Sequence, residues 1–108
     1  MRRHLTTCLL AVLLVLMELS PALAQTPRIQ RGLTFVRTHC ARCHAIDRSS
    51  TSPLAVAPAF RSLSERYPVE SLAEAFAEGI QTGHPSMPEF RLGLGQIADV
   101  IAFLKSLE

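Results

Sequence analysis

The chain has 108 residues, of which 48% are hydrophobic and 19% charged, and its formal net charge is +2. This length suits a single small domain, and so weak a positive charge argues against the concentrated basic face of a nucleic-acid-binding protein. No stretch alternates between apolar and polar residues as a strand does, and no segment repeats, so we expect neither a sheet nor a second domain.

The first 24 residues have the organisation of a secretory signal peptide. Arg2 and Arg3 supply a positive start, residues 8–17 form an unbroken apolar run, and Ala22-Leu23-Ala24 gives a small-x-small cleavage pattern. The run is shorter than the about 20 residues that cross a bilayer, so a cleaved leader is favoured over a retained anchor. We therefore predict export to the periplasm, removal of residues 1–24 and no stable membrane insertion afterwards.

The mature chain, residues 25–108, begins with a predicted helix over residues 28 to about 40, where apolar side chains recur three or four residues apart. Gly32 lies inside this helix at a cost of up to about 1 kcal/mol relative to alanine. Such a cost suggests that another backbone or an aromatic ring approaches closely at this position.

The middle of the chain is predicted as a polar loop over residues 45–60, a short helical turn over 61–66 and a helix over 68–78. Pro68 suits the first position of that helix, and Gly79 follows its end. A second loop covers residues 80–94, and an apolar stripe predicts a last helix over 95–107.

The pentapeptide Cys40-Ala41-Arg42-Cys43-His44 has the attachment signature of c-type haem. In that chemistry two thiols add to the two vinyl groups of one porphyrin, and the following histidine becomes the proximal ligand of the iron. A structural zinc site needs four ligands and usually a second Cys or His pair, which the mature chain lacks. A thioredoxin-like dithiol would follow a strand of a βαβ unit. We therefore predict one haem bound covalently through Cys40 and Cys43, with His44 as an iron ligand.

The second axial ligand is predicted to be Met87, the only methionine left after removal of residues 1–24. A lone methionine is often a packing residue, but Pro85 and Pro88 stiffen the loop around this one, as a weak ligand requires. His84 is the alternative and would give a bis-histidine iron. An open coordination site is the third possibility, and it would suit gas or peroxide chemistry.

Taken together, these residues resemble those of a small bacterial class I cytochrome c with one haem. The resemblance implies an all-α fold of three to four short helices wrapped around the haem, with the first and last helices crossing. It rests on Gly32, the attachment motif at 40–44, Pro58, Met87-Pro88-Glu89-Phe90 and the terminal segment 99–105.

The resemblance also implies specific contacts. Gly32 would lie at the helix crossing with Phe103 as its aromatic partner, and the carbonyl of Pro58 would accept a hydrogen bond from Nδ1–H of His44. The propionate partners of the family do not carry over to this sequence, and Arg66 is the candidate propionate contact because of its distance after Pro58. Arg61 and Tyr67 lie nearby in the sequence.

The predicted function is one-electron transfer by a protein that is not itself an enzyme. Its expected partners are a redox donor and a redox acceptor, both bound transiently by a monomer. A dedicated cytochrome subunit of a periplasmic dehydrogenase or oxidase is the first alternative. A haem enzyme or gas-binding protein with an accessible iron is the second.

Overall fold

The computed structural model describes residues 20–80 and 86–108. Within these ranges the chain is all-α, as predicted, and contains no strand. Most of the predicted signal peptide and the alternative ligand His84 lie outside the described residues. The helices are α1 (Ser20–His39), α2 (Leu72–Glu78) and α3 (Leu94–Lys105), with 3₁₀ helices at Phe60–Glu65 and Val69–Ser71.

Helix α1 begins at Ser20, so the predicted start at residue 28 was wrong. Pro27 lies inside the helix, although proline removes one backbone hydrogen bond there. The sequence just before it, Ala22-Leu23-Ala24, consists of strong helix formers, which favour continuation. No helix of the described residues is both long and apolar enough to cross a membrane.

Helices α1 and α3 pack against each other at Gly32. A Cβ atom added at Gly32 would lie 2.1 Å from the backbone oxygen of Asp99 and 2.7 Å from Cβ of Phe103. Next to this point the Arg31 guanidinium donates two hydrogen bonds, of 2.8 and 2.9 Å, to the Asp99 carboxylate. The close approach predicted at Gly32, with Phe103 as its aromatic partner, is confirmed.

The middle helix is divided, whereas the sequence predicted one helix over 68–78. A 3₁₀ turn at Val69–Ser71 precedes α2, and Pro68 caps that turn with an extended ψ of 129° instead of being its first residue. The tight turn places Val69 in the core, where it is 1% exposed. Gly79 ends α2 as predicted, with a φ of 104° that favours glycine.

Helix α3 begins one residue before its predicted start and ends two residues before its predicted end. Gly93 precedes it, and Gln96 Oε1 accepts a hydrogen bond of 3.3 Å from the Gly93 N–H. The apolar stripe of α3 faces α1 and the middle segment. The core that results is small and mostly aliphatic: Val36, Leu63, Val69, Val100, Phe103 and Leu104.

Candidate haem site

The attachment motif forms a tight turn at the carboxyl end of α1. The Cys40 N–H donates to the carbonyl of Val36 at 2.8 Å, continuing the helical pattern beyond His39. The Cys40 carbonyl then accepts hydrogen bonds from the N–H groups of Cys43, at 3.1 Å, and His44, at 2.9 Å. This turn brings the two cysteines and the histidine to the same cavity.

Cys40 and Cys43 do not form a disulfide with each other. Burial, with a smaller contribution from Cys43, raises the pKa of the Cys40 thiol to about 11. Before haem attachment, the Cys40 thiol would therefore be protonated at neutral pH.

The His44 ring is fixed from two sides. Its Nδ1 lies 2.8 Å from the carbonyl oxygen of Pro58, and its ring centroid lies 4.8 Å from that of Phe60. A carbonyl can only accept a hydrogen bond, so the contact requires a proton on Nδ1 and leaves Nε2 free to coordinate a metal. The contact between His44 and Pro58 that the resemblance implied is present.

Cys40, Cys43, His44 and Met87 line one partly open cavity of about 260 Å³. Met87 is half-buried in the segment that follows the undescribed residues 81–85. The rest of the lining is mainly apolar. Four of the five phenylalanines line this cavity, where they are only partly buried, and do not fill the core: Phe35, Phe60, Phe76 and Phe90.

The donor set and the lining fit a covalently bound haem. Leu54, Val56 and Tyr67 also line the cavity, with 36%, 64% and 37% of their surfaces exposed, and a flat apolar group bound there would cover them. Two thiols, an imidazole and a thioether are the groups that attach and ligate haem c. A zinc site is not supported, because the described residues contain no group of three or more His, Cys, Asp and Glu that could hold a metal ion.

Neither Arg61 nor Arg66 belongs to the cavity lining. Arg66 is exposed and lies outside the cavity lining, whereas its neighbour Tyr67 belongs to it. Arg61 donates a hydrogen bond of 2.7 Å to the carbonyl of Ser50 and so braces the polar loop. A contact between Arg66 and a propionate stays a prediction.

The cavity wall also contains His39, whose packing the sequence reasoning missed. Its ring centroid lies 4.5 Å from that of Phe35 and 6.0 Å from that of Phe90. The four-residue spacing of Phe35 and His39 on one helix could have indicated the first of these contacts. The second joins distant parts of the chain and has no sequence signal of its own.

Comparison with known proteins adds two findings. A family model described as Cytochrome c matches residues 29–108. Cytochrome c-552 of Bradyrhizobium diazoefficiens is 32% identical over 76 residues, which cover 70% of this chain and 71% of that protein. No solved structure matches the chain. The matched range 29–108 contains the attachment motif, Pro58 and Met87.

Proposed function

This chain belongs to the cytochrome c family, and we propose that it is a periplasmic one-electron carrier whose haem iron is held by His44 and Met87. Membership of the family implies covalently bound haem c and a role in electron transfer. One observation carries the finer proposal. Both thiols, the His44 imidazole and the Met87 thioether line the same apolar cavity.

When bound, the haem supplies a one-electron couple between ferric and ferrous iron. Cys40 and Cys43 tether it to the end of α1, which the contact with α3 holds in place. The hydrogen bond from His44 Nδ1–H to Pro58 fixes the ring's tautomer and orientation and raises the basicity of the coordinating nitrogen.

Met87 completes the proposed ligand pair. A thioether ligand raises the reduction potential, because it favours ferrous over ferric iron. The apolar lining acts in the same direction by keeping water away from the additional charge of the ferric state. A fixed ligand pair in an apolar cavity also limits structural change between the two oxidation states, which suits rapid electron exchange.

We further propose that the signal peptide is cleaved after Ala24, because the shortened α1 could still begin as a regular helix. Helix α1 is continuous through this point. A new terminus at Gln25 would leave Pro27 in the first helical turn, where the missing N–H costs no hydrogen bond. Arg66 remains the proposed propionate contact because the adjacent Tyr67 lines the cavity.

The far-red absorption spectrum of the ferric holoprotein tests the ligand pair. The charge-transfer band between sulfur and iron should be present in the wild type and absent in Met87→Ala. His84→Ala is the matched control, because it removes the competing ligand from the same loop, and it should keep the band. A wild type without the band, or a band lost only in His84→Ala, would overturn the assignment of Met87.

A further inference from the structure

The Met87 segment, defined as residues 86–92, is irregular and attached by its backbone to α2. The Ile80 N–H donates to the carbonyl of Phe90 at 3.2 Å, and the Leu92 N–H donates to the carbonyl of Phe76 at 2.8 Å. Both bonds fix residues that follow Met87. They tie the segment to α2 and to Ile80, two residues after its end, and not to α1, which carries the attachment motif.

The Phe90 side chain provides a direct contact with α1. Its ring meets that of Phe35 at a centroid distance of 6.2 Å and an interplanar angle of 72°. It meets the His39 ring at 6.0 Å and 71°. These are edge-to-face arrangements, which the charge distribution of aromatic rings favours at such distances. All three side chains line the cavity.

We propose that Phe35, His39 and Phe90, here called the aromatic cluster, position Met87 for the iron. The cluster joins a residue three positions after Met87 to the last turn of α1, immediately before Cys40. It therefore sets the separation between the segment that carries the distal thioether and the motif that tethers the haem. This inference rests on the proposed ligation by Met87, and all three members are positioning residues.

The exposure of the residues next to Met87 explains why the ring contacts of Phe90 are needed to hold the segment in place. Ser86, Pro88 and Glu89 are exposed, and Met87 itself is only half-buried. A segment with little buried surface opens locally at a low free-energy cost. Loss of the ring contacts at Phe90 should therefore increase the time that Met87 spends away from the iron, without unfolding the helices.

The rate of carbon monoxide binding to the ferrous holoprotein measures this opening, because the gas can bind only after Met87 has left. Phe90→Leu keeps an apolar side chain but removes the ring, and we expect about tenfold faster binding, equivalent to about 1.4 kcal/mol. The far-red band of the ferric protein should weaken in the same variant.

Phe103→Leu is the matched control. Phe103 lies on α3 in the buried core, outside both the cavity lining and the aromatic cluster. Both variants should lower the thermal midpoint, because each removes apolar contact area. Only Phe90→Leu should change the carbon monoxide rate, which separates positioning from general stabilisation.

Two more variants keep the test decisive if Phe90→Leu fails to yield holoprotein. His39→Ala changes an exposed side chain, and Phe35→Leu removes the ring that faces both others. Each should accelerate carbon monoxide binding. In the double variant Phe35→Leu/Phe90→Leu, the acceleration of carbon monoxide binding should be smaller than the product of the two single accelerations. Rings in contact are energetically coupled, and a double-mutant cycle measures that coupling.

The outcomes distinguish this inference from the proposed ligation. If wild-type holoprotein has no far-red band and binds carbon monoxide immediately, ligation by Met87 is wrong and the inference falls with it. If the wild type has the band but Phe90→Leu binds the gas no faster than Phe103→Leu, only the inference is wrong. Independent effects of Phe35→Leu and Phe90→Leu would also overturn it.

Discussion

Replacement of Gly32 by alanine tests the helix contact that supports the haem site. The new Cβ would lie 2.1 Å from the backbone oxygen of Asp99 and 2.7 Å from Cβ of Phe103. Neither atom belongs to the flexible end of a side chain, so rotation of a side chain cannot relieve the overlap. One helix must move away from the other, and the Arg31–Asp99 ion pair beside Gly32 would be strained by the same movement.

The expected loss of stability follows from two opposing effects. Overpacking of a close contact costs about 1–3 kcal/mol, and the backbone partner puts this case at the upper end of that range. Alanine recovers up to about 1 kcal/mol of helix propensity relative to glycine. We therefore expect a net loss of about 2 kcal/mol, which for a domain of this size lowers the thermal midpoint by roughly 10 °C.

The assay is denaturant unfolding of the holoprotein, followed by far-ultraviolet circular dichroism. The midpoint should fall with little change in the slope. Gly95→Ala is the matched control, because a Cβ there meets nothing within 4 Å, and it should be neutral or slightly stabilising. If Gly32→Ala were as stable as Gly95→Ala, the close contact between α1 and α3 would be refuted.

Three further predictions concern surface and turn residues, each measured by denaturant midpoints of the holoprotein. Hydrogen bonds from Ser50 lower the pKa of the Asp47 carboxyl from 3.8 to about 2. The ionised Asp47 carboxylate therefore stabilises the fold above pH 3.8, and this stabilisation is lost as the pH falls towards 2. Asp47→Asn should therefore flatten the stability profile between pH 4 and 2, and an unchanged profile would contradict this. Arg31→Ala should lower the denaturant midpoint only slightly, because water screens the mostly exposed guanidinium, and a loss as large as that of Gly32→Ala would show that this screening was overestimated. Gly79→Ala, at a φ of 104°, should cost about 1–3 kcal/mol, and an unaffected midpoint would count against the strained turn.

The local features of this site could be predicted from the sequence because their chemistry is local. Two thiols and a histidine within five residues specify an attachment motif wherever the chain places them. Gly32 was informative for a different reason. A glycine lowers the stability of an otherwise regular helix, and the contact with Asp99 explains why a side chain is excluded at this position.

The two largest differences from the predicted helices lie at prolines. The predicted start at residue 28 left Pro27 outside the first helix, but α1 includes it, and the helix-forming residues Ala22-Leu23-Ala24 precede it. Pro68 was placed inside a helix, but its extended backbone sets it just before a 3₁₀ turn that buries Val69. In both cases the ring fixes φ alone, and the neighbouring residues decided whether the helix includes the proline.

The aromatic cluster could be predicted only in part. Phe35 and His39 share one face of α1 by their spacing, but Phe90 reaches them only through the packing of a loop against the helix. The same limit applies to the cavity lining. Hydrophobic periodicity identifies which residues avoid water, but it does not distinguish phenylalanines that fill the core from those that surround a cofactor.

The mass of the exported protein tests the central claim most directly. After digestion of the purified periplasmic form, the peptide that contains Cys40 and Cys43 should carry the mass of one haem, joined through both sulfurs. The mature chain should begin at Gln25. A compact, colourless protein whose Cys40–Cys43 peptide has only its amino-acid mass would contradict the account.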